Sequence, residues 1–407
     1  MKKLNQNTKK KKDRKDWTGE GDETMNKSIY IDNNATTQVD QRVLNEMLPY
    51  FCEKFGNPSS SHIAGRCVRE AIESSRNYIA ENINCHPDEI FFTSGGTESN
   101  NLAIIGYSLS NKNKSNHIIT SPIEHPSVKA IFHKYLKSLG FEISFIEPDK
   151  NGVIRIERIK EEIRQSTILV SIMHANNVTG VIQPIESIGK ICKESDIVFH
   201  TDAVQSFGKI PVDVKKNNIS MLSASSHKIY GPKGCGFLYL KNGIEIIPRF
   251  FGGHQQNGIR VGTENVPGII GFAEAFKLCN KLHLKEEIKI TKIRDKFEQL
   301  VIEKIKDCII IGNNTERIPG TSNIGFKNIA AQDLLNILER KEIFASPGSA
   351  CAEFRMKKHM PSPVLSAMKV NPEYINGCIR FSFGRFNQIE DVEKIVKVLI
   401  SGTEKLQ

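Results

Sequence analysis

The chain has 407 residues, of which 39% are hydrophobic and 25% charged, a composition typical of a globular protein large enough for two domains. It lacks a run of roughly 18 apolar residues and an apolar stretch behind its charged start, so we expect no membrane span, no secretory signal and a cytoplasmic location. Its nine cysteines lie far apart without a C-x-x-C pair, which argues against a zinc site, and we predict no metal.

The formal charge of +10 is concentrated at the start of the chain. Residues 1–16 contain seven Lys, one Arg and two Asp, so this short stretch carries +6. A lysine-rich segment without aromatic residues is typical of a disordered, solvated arm, which we assign to residues 1–27. The alternative is a nucleic-acid-binding protein that uses this arm. We favour no nucleic-acid partner, because the rest of the chain carries only about +4.

Ordered structure is predicted to start near Ser28. A short strand runs into the polar turn at residues 32–37, a polar loop spans residues 56–62, and a helix covers residues 64–82. Short apolar runs then alternate with helical patterns. The predicted strands are 90–93, 117–120, 141–146, 168–173, 197–201, 219–224 and 236–240, and the predicted helices between them are 98–109, 127–139, 157–164 and 185–193. This alternation predicts a mainly parallel, doubly wound α/β sheet that binds ligands at the carboxyl ends of its strands.

Polar residues follow several of these strands. A glycine pair at Gly95 and Gly96 lies between a strand and a helix, an arrangement that can bind an anion, although plain turns also contain such pairs. His125 lies between two prolines after the next strand, where it is either a ring-stacking group or an exposed loop residue. Asp202 ends an apolar strand, and burying its carboxylate is costly unless it meets a cation or hydrogen-bond donors.

Lys228 ends another apolar run, just before a turn rich in Gly and Pro. A lysine becomes a nucleophile towards a carbonyl when burial or a nearby cation lowers its pKa. Together these residues provide an anion site, a stacking histidine, a carboxylate for a ring nitrogen and an amine for an aldehyde. Pyridoxal 5'-phosphate needs this set of groups when it acts as an electron sink.

In addition to containing these groups, the sequence resembles the cysteine desulfurases of the NifS/IscS type, in the class-V aminotransferase family. The resemblance runs from about Ile29 to Phe386. It is carried by residues 32–37, 93–101, 124–125, 176–177, 202–205, 227–234, 260–266, 346–351 and 379–385. It implies the pyridoxal-phosphate-dependent transferase fold of type I, with a large domain at residues 28–278 and a smaller α+β domain at residues 279–407.

The resemblance also implies roles for individual residues. Lys228 bonds the cofactor's aldehyde, Asp202 pairs with the pyridine nitrogen, and His125 stacks on the ring and helps to move protons. Asn177 and Gln205 face the phenolic oxygen, and Asn177 also meets the substrate. The implied phosphate contacts are Gly96, Thr97, Ser225 and His227, joined by Thr263 of the second subunit of a homodimer. Ser226 stands where relatives commonly have glycine, so we expect an extra hydroxyl beside the phosphate.

Two residues of the C-terminal domain are implied to meet the substrate, L-cysteine. Cys351, in the small-residue loop at 346–352, is the expected catalytic thiol, and Arg380 is expected to bind the substrate carboxylate, unless it forms a structural ion pair. The expected products are L-alanine and a Cys351 persulfide for a sulfur-acceptor protein, either an iron–sulfur scaffold or a tRNA-thiolation enzyme. Pro-Ser-Pro-Val-Leu at 361–365 is similar to selenocysteine lyases, so that activity, or an aminotransferase, is the alternative.

Overall fold

The computed structural model describes residues 28–347 and 362–406. Its strands are β1 (Ile29–Tyr30), β2 (Ile90–Thr93), β3 (His117–Thr120), β4 (Glu142–Phe145), β5 (Thr167–Ser171), β6 (Val198–Asp202), β7 (Met221–Ser225), β8 (Gly236–Leu240), β9 (Cys308–Ile310), β10 (Thr321–Phe326), β11 (Ile343–Phe344) and β12 (Cys378–Ser382). Its α-helices are α1 (Gln41–Met47), α2 (Pro49–Cys52), α3 (Ile63–Ile83), α4 (Gly96–Asn111), α5 (Pro126–Ala130), α6 (Ile156–Glu162), α7 (Ile185–Glu194), α8 (Val266–Lys304), α9 (Ala331–Glu339), α10 (Pro363–Ala367), α11 (Pro372–Ile375) and α12 (Ile389–Leu406).

A seven-stranded sheet forms the centre of the molecule, in the order β2-β8-β7-β6-β5-β3-β4. β4, β3, β5, β6 and β7 are parallel to one another, and β8 runs antiparallel to both of its neighbours. β7 and β8 are buried along their whole length, as expected for strands covered by helices on both faces. The predicted mainly parallel α/β sheet is therefore present, and each predicted strand lies within a few residues of its observed position.

The predicted helix at residues 127–139 is not a single α-helix. α5 is followed by a π-helical turn at Ile131–Leu136 and a 3-10 turn at Lys137–Leu139. The segment ends at Gly140, whose positive φ of 86° suits glycine. Its apolar residues still pack into the core, because Ile131, Phe132 and Leu136 are buried. Spacing of apolar residues therefore located the segment without revealing its change of pitch.

A second apolar core surrounds the antiparallel sheet of β9, β10 and β12. It also contains Ile29 and Ile31 from the beginning of the described chain, where β1 pairs in parallel with β11. α8 reaches both cores, with Phe272 in the first and Phe297 in the second. The boundary predicted between residues 278 and 279 thus falls within this continuous 39-residue helix.

The carboxyl ends of β3, β5, β6 and β7 meet at one edge of the central sheet, since these strands are parallel. β2 points the same way, because it is antiparallel to β8, which is antiparallel to β7. The polar residues that follow these strands in sequence therefore share one side of the molecule. No helix in the described ranges is long and apolar enough to span a membrane.

Candidate active site

A cavity of about 240 Å³ opens at this edge of the sheet. It is lined by Asn34, Ala35, Gly96, Thr97, Asn100, His125, Ser127, Met173, Asn177, Asp202, Val204, Gln205, Ser225, His227, Lys228 and Arg380. The set contains the cofactor-binding and substrate-binding residues predicted from the sequence, with the exception of Thr263. Cys351 and the basic arm at residues 1–27 lie outside the described residues.

Lys228 reaches the cavity from a 3-10 turn, Ser226–Lys228, that directly follows β7. Its Nζ donates hydrogen bonds to the backbone oxygens of Asn34 and Ala35, at 2.7 and 2.6 Å. Burial and, after it, the nearby cations of Lys209 and Arg380 lower the pKa of Lys228 to about 7. A substantial share of the amine is therefore uncharged at neutral pH, as a nucleophile or a base must be.

Asp202 is the last residue of β6, and it is only 4% exposed. Its Oδ2 accepts a hydrogen bond from Asn100 Nδ2 at 2.8 Å, and its Oδ1 accepts one from the backbone N–H of Val204 at 3.0 Å. Donors thus hold both carboxylate oxygens, which offsets much of the cost of burying the charge. The carboxylate is positioned to face a cationic ring nitrogen in the cavity.

His125 precedes α5 and caps its first turn. Its Nδ1 accepts a hydrogen bond from the backbone N–H of Ser127 at 3.1 Å. Burial lowers the pKa of His125, the cations of Lys228 and Lys129 add to that shift, and Asp202 opposes it. The neighbouring Glu124 is buried, and this burial raises its pKa to about 8. Its Oε1 accepts hydrogen bonds from Ser121 Oγ and from the backbone of Met173, which ties together two of the loops around the cavity.

The amino end of α4 forms the expected anion site. Gly95 has a φ of +146°, which glycine tolerates, and Gly96 begins the helix. A Cβ at Gly96 would lie only 2.5 Å from Val204 Cγ2, so a side chain does not fit there. The first N–H groups of an α-helix have no partner within the helix, and here they lie at the cavity together with the hydroxyl residues Thr97 and Ser225.

Ser226 differs from our expectation. It is fully buried and is not among the cavity-lining residues. Its Oγ lies only 2.0 Å from where a Cβ on Gly231 would be, so the hydroxyl packs against that glycine. The structure therefore does not support the prediction of an additional hydroxyl beside the phosphate.

Arg380 lies on β12 and enters the cavity from the C-terminal part of the chain. Its guanidinium donates to the backbone oxygen of Asn177 at 2.8 Å and to Ser346 Oγ at 3.1 Å, and it forms an ion pair with Asp32. The structural ion pair considered from the sequence is thus present, although the same guanidinium also lines the site. A buried guanidinium that is held in place and lines the cavity can orient a carboxylate.

Asn34, Asn100, Ser127 and Lys209 were not selected as site residues from the sequence. Lys209 Nζ donates to Gln205 Oε1 at 3.2 Å, and Gln205 Nε2 donates to the backbone oxygen of Asn34 at 2.9 Å. Lys209 therefore fixes which end of the Gln205 amide is the donor. Asn100 lies one helical turn after Gly96, and this i+4 spacing is a signal that could have placed it at the site.

Thr263 lies outside the cavity in a single chain. It is exposed and precedes α8, while its neighbour Glu264 lines a separate cavity of about 330 Å³. A role for Thr263 at a phosphate therefore requires a second copy of the chain.

The residues present suit pyridoxal phosphate. A glycine cradle at a helix amino end matches a phosphate, a buried carboxylate matches a pyridinium nitrogen, and an amine with a pKa of about 7 matches an aldehyde.

This chain is similar to one known protein family and to individual known proteins. Residues 29–395 match the family described as aminotransferase class-V. A protein from Methanosarcina thermophila named cysteine desulfurase IscS is 44% identical over 391 residues, which cover 96% of this chain and 95% of that protein. A protein from Dictyoglomus turgidum with the same name is 44% identical over 383 residues, or 94% of this chain and 96% of that protein.

A solved structure titled NifS-like protein superposes with a TM-score of 0.87 at 36% identity, covering 93% of this chain and all of that one. Another, titled SspA in complex with cysteine, has a TM-score of 0.78 at 34% identity and covers 88% of this chain and 99% of that one.

Proposed function

The chain belongs to the class-V aminotransferase family and, within it, to the cysteine desulfurases of the NifS/IscS type, and on that premise we propose that it uses pyridoxal phosphate to take sulfur from L-cysteine. The observation that carries the proposal is the meeting of Lys228, Asp202, His125 and Arg380 around one cavity of about 240 Å³. Pyridoxal phosphate supplies an aldehyde and an electron-withdrawing ring.

The chain's own residues would bind and orient the two ligands. The amino end of α4 with Thr97 and Ser225 would hold the phosphate, and Asp202 would hold the ring nitrogen. Arg380 would orient the substrate carboxylate, because its guanidinium is already fixed by Asp32 and by the backbone oxygen of Asn177. Lys228, a substantial share of which is uncharged near pH 7, would take the proton from the substrate's α-carbon on Nζ.

Cys351 would complete the reaction as a thiolate. Its sulfur forms a bond to the substrate sulfur while the substrate's carbon–sulfur bond breaks, and the carbon fragment gains protons and leaves as L-alanine. The sulfur then remains on Cys351 as a persulfide, which an acceptor protein removes. We propose an iron–sulfur scaffold or a tRNA-thiolation enzyme as that acceptor. A cytoplasmic location stays a prediction.

We further propose a homodimer in which Thr263 of one subunit reaches the phosphate site of the other. The exposed position of Thr263, away from the cavity of its own chain, supports this proposal. If it is right, the protein has the mass of two chains in solution, and Thr263→Ala weakens cofactor binding without separating the subunits.

The function is tested by absorption spectroscopy and product analysis on the purified full-length chain. We expect a visible band of bound pyridoxal phosphate that Lys228→Ala abolishes. L-cysteine should yield L-alanine, with one sulfur per Cys351, and Cys351→Ala should reduce alanine formation at least about 100-fold, since it removes the attacking nucleophile. Cys378→Ala is the matched control, because this thiol is buried in the core.

Other outcomes would support the alternatives. Pyruvate formed with a keto-acid acceptor would indicate an aminotransferase, and alanine formed from selenocysteine but not from cysteine would indicate a selenocysteine lyase. A protein that stays colourless after reconstitution with pyridoxal phosphate would refute the proposal.

A further inference from the structure

The hydrogen bonds around His125 determine where its ring carries a proton. Nδ1 accepts the backbone N–H of Ser127 at 3.1 Å, in the capping interaction at the start of α5. A backbone N–H can only donate, so Nδ1 must offer its lone pair. A neutral imidazole that accepts at Nδ1 carries its hydrogen on Nε2.

A second donor reaches the same nitrogen. Ser127 Oγ lies 2.7 Å from His125 Nδ1, and it also lies 3.0 Å from Asn100 Nδ2. The amide of Asn100 donates to this hydroxyl oxygen, which leaves the hydroxyl hydrogen for Nδ1. The side chain of Ser127 and its backbone therefore require the same tautomer.

The orientation of Asn100 is fixed in turn by Asp202. Asn100 is fully buried, and its Nδ2 donates to Asp202 Oδ2 at 2.8 Å as well as to Ser127. Rotating the amide by 180° would place Oδ1 against Asp202 Oδ2 and remove the Asn100 donor from that carboxylate oxygen, so the observed orientation is favoured. Asp202 therefore fixes the direction in which Asn100 donates. Asn100 donates to Ser127 Oγ, and Ser127 donates to His125 Nδ1.

We propose that Asn100 and Ser127 are positioning residues that hold His125 as the tautomer with its hydrogen on Nε2, so that the ring enters the reaction as a proton donor. Within residues 28–347 and 362–406, Nε2 has no hydrogen-bond partner, and the ring lines the cavity, so this hydrogen is available to a bound molecule. The proton-donor role rests on the proposed function, whereas the tautomer does not.

The electrostatic surroundings agree with a neutral ring. Burial is the main cause that lowers the pKa of His125; Asp202 opposes this shift and the cations of Lys228 and Lys129 add to it, so the pKa lies below its usual value. A second proton on Nδ1 would also make two donors face each other, the N–H of the ring and the backbone N–H of Ser127, with no acceptor between them.

The tautomer can be read from ¹⁵N NMR of the full-length protein labelled at its histidines, recorded with and without pyridoxal phosphate. The chain has 11 histidines, so the His125 signals are identified by subtracting the spectrum of His125→Gln. We expect a pyridine-like chemical shift for Nδ1 and a pyrrole-like shift for Nε2 near neutral pH.

Variants test the two positioning residues. Ser127→Ala and Asn100→Ala should each move the Nδ1 resonance towards the value of an unbonded ring nitrogen, whereas Ser127→Thr, which keeps the hydroxyl, should not. Asn101→Ala is the matched control, because the Asn101 side chain donates to Thr97 on the same helix and does not contact Ser127.

Two results would overturn the inference. One is a wild-type His125 that is protonated on Nδ1, and the other is an Nδ1 resonance that stays unchanged in Ser127→Ala. A protein with the expected tautomer that makes no alanine from cysteine would refute the function and leave the tautomer assignment intact.

Discussion

At the scale of single residues, Lys209 is a second cation close to the reactive amine. It is linked to Lys228 through two groups, because Lys209 donates to Gln205, Gln205 donates to the backbone oxygen of Asn34, and that oxygen also accepts from Lys228. Burial is the main cause of the lowered pKa of Lys228, and the charge of Lys209 is the next. Lys209 therefore raises the fraction of Lys228 that is uncharged at neutral pH.

Lys209→Met should raise the pKa of Lys228, because one repelling charge is lost. A rise of about one unit would reduce the uncharged fraction at pH 7 from about a half to about a tenth. The rate at which the cofactor-free protein takes up pyridoxal phosphate should then fall several-fold at pH 7. It should approach the wild-type rate above about pH 9, where the amine is uncharged in both proteins.

The measurement is the growth of visible absorbance after mixing, followed between pH 6 and pH 10. Lys215→Met is the control, since Lys215 is exposed and is not among the groups that shift the pKa of Lys228. Superimposable pH profiles for Lys209→Met and the wild type would show that the charge has no such effect.

At the scale of secondary structure elements, the approach of α4 to the loop after β6 depends on Gly96. The position has no room for a Cβ, which would lie 2.5 Å from Val204 Cγ2. The close approach brings the amino end of the helix to the cavity that Asp202 and Val204 also line. Glycine is needed here to let two segments meet.

Gly96→Ala should push α4 away from Val204 and weaken pyridoxal-phosphate binding by about 10-fold to 100-fold, as overpacking costs about 1–3 kcal/mol. Val204→Ala in the same chain should restore most of the affinity, because the Cβ then has space. Binding is measured by titration of the cofactor-free protein with pyridoxal phosphate. If the double variant binds no better than Gly96→Ala alone, the contact with Val204 is not the cause.

The elements of the central sheet were predictable because each strand is a short apolar run between polar turns. Their carboxyl ends were predictable as the site for the same reason, since Asp202 and Lys228 directly follow such runs. Asn100 and Lys209 were not predictable as site residues. The hydrogen bond from Asn100 to Asp202 joins segments that are distant in the chain, and the hydrogen bond from Lys209 to Gln205 depends on the exact direction of a side chain. The continuity of α8 across the predicted boundary between residues 278 and 279 was also missed, since its two halves face different cores.

At the scale of the whole molecule, Arg385 joins three separate parts of the chain. It follows β12 and forms ion pairs with Asp40, which caps α1, and with Glu286 on α8. Its guanidinium carbon lies 4.1 Å from the centre of the Tyr230 ring. Hydrogen bonds from Arg42 and from Arg385 hold the pKa of Asp40 well below its usual value, so its charge is retained at mildly acidic pH.

Arg385→Met should lower the free energy of unfolding by about 3 kcal/mol or more, because it leaves the carboxylates of Asp40 and Glu286 without their shared cation in a largely buried site. Urea denaturation followed by circular dichroism measures the loss. Arg158→Met is the control, since both side chains of the Arg158–Glu161 pair are more than half exposed, and we expect a change within about 0.5 kcal/mol. Equal midpoints for the two variants would contradict a joining role for Arg385.

The placement of Ile29 and Ile31 has a consequence for synthesis on the ribosome. These residues emerge early, yet they pack in one core with Ile395, Val396 and Leu399 of the last helix. Domains generally fold as units while the chain is being made, beginning near the amino terminus. The second core cannot fold in this order. Ile31 packs with Ile395, and more than 300 further residues must be translated after Ile31 before Ile395 is made. A chaperone that binds this short apolar strand would therefore have to remain bound to the nascent chain for most of its synthesis.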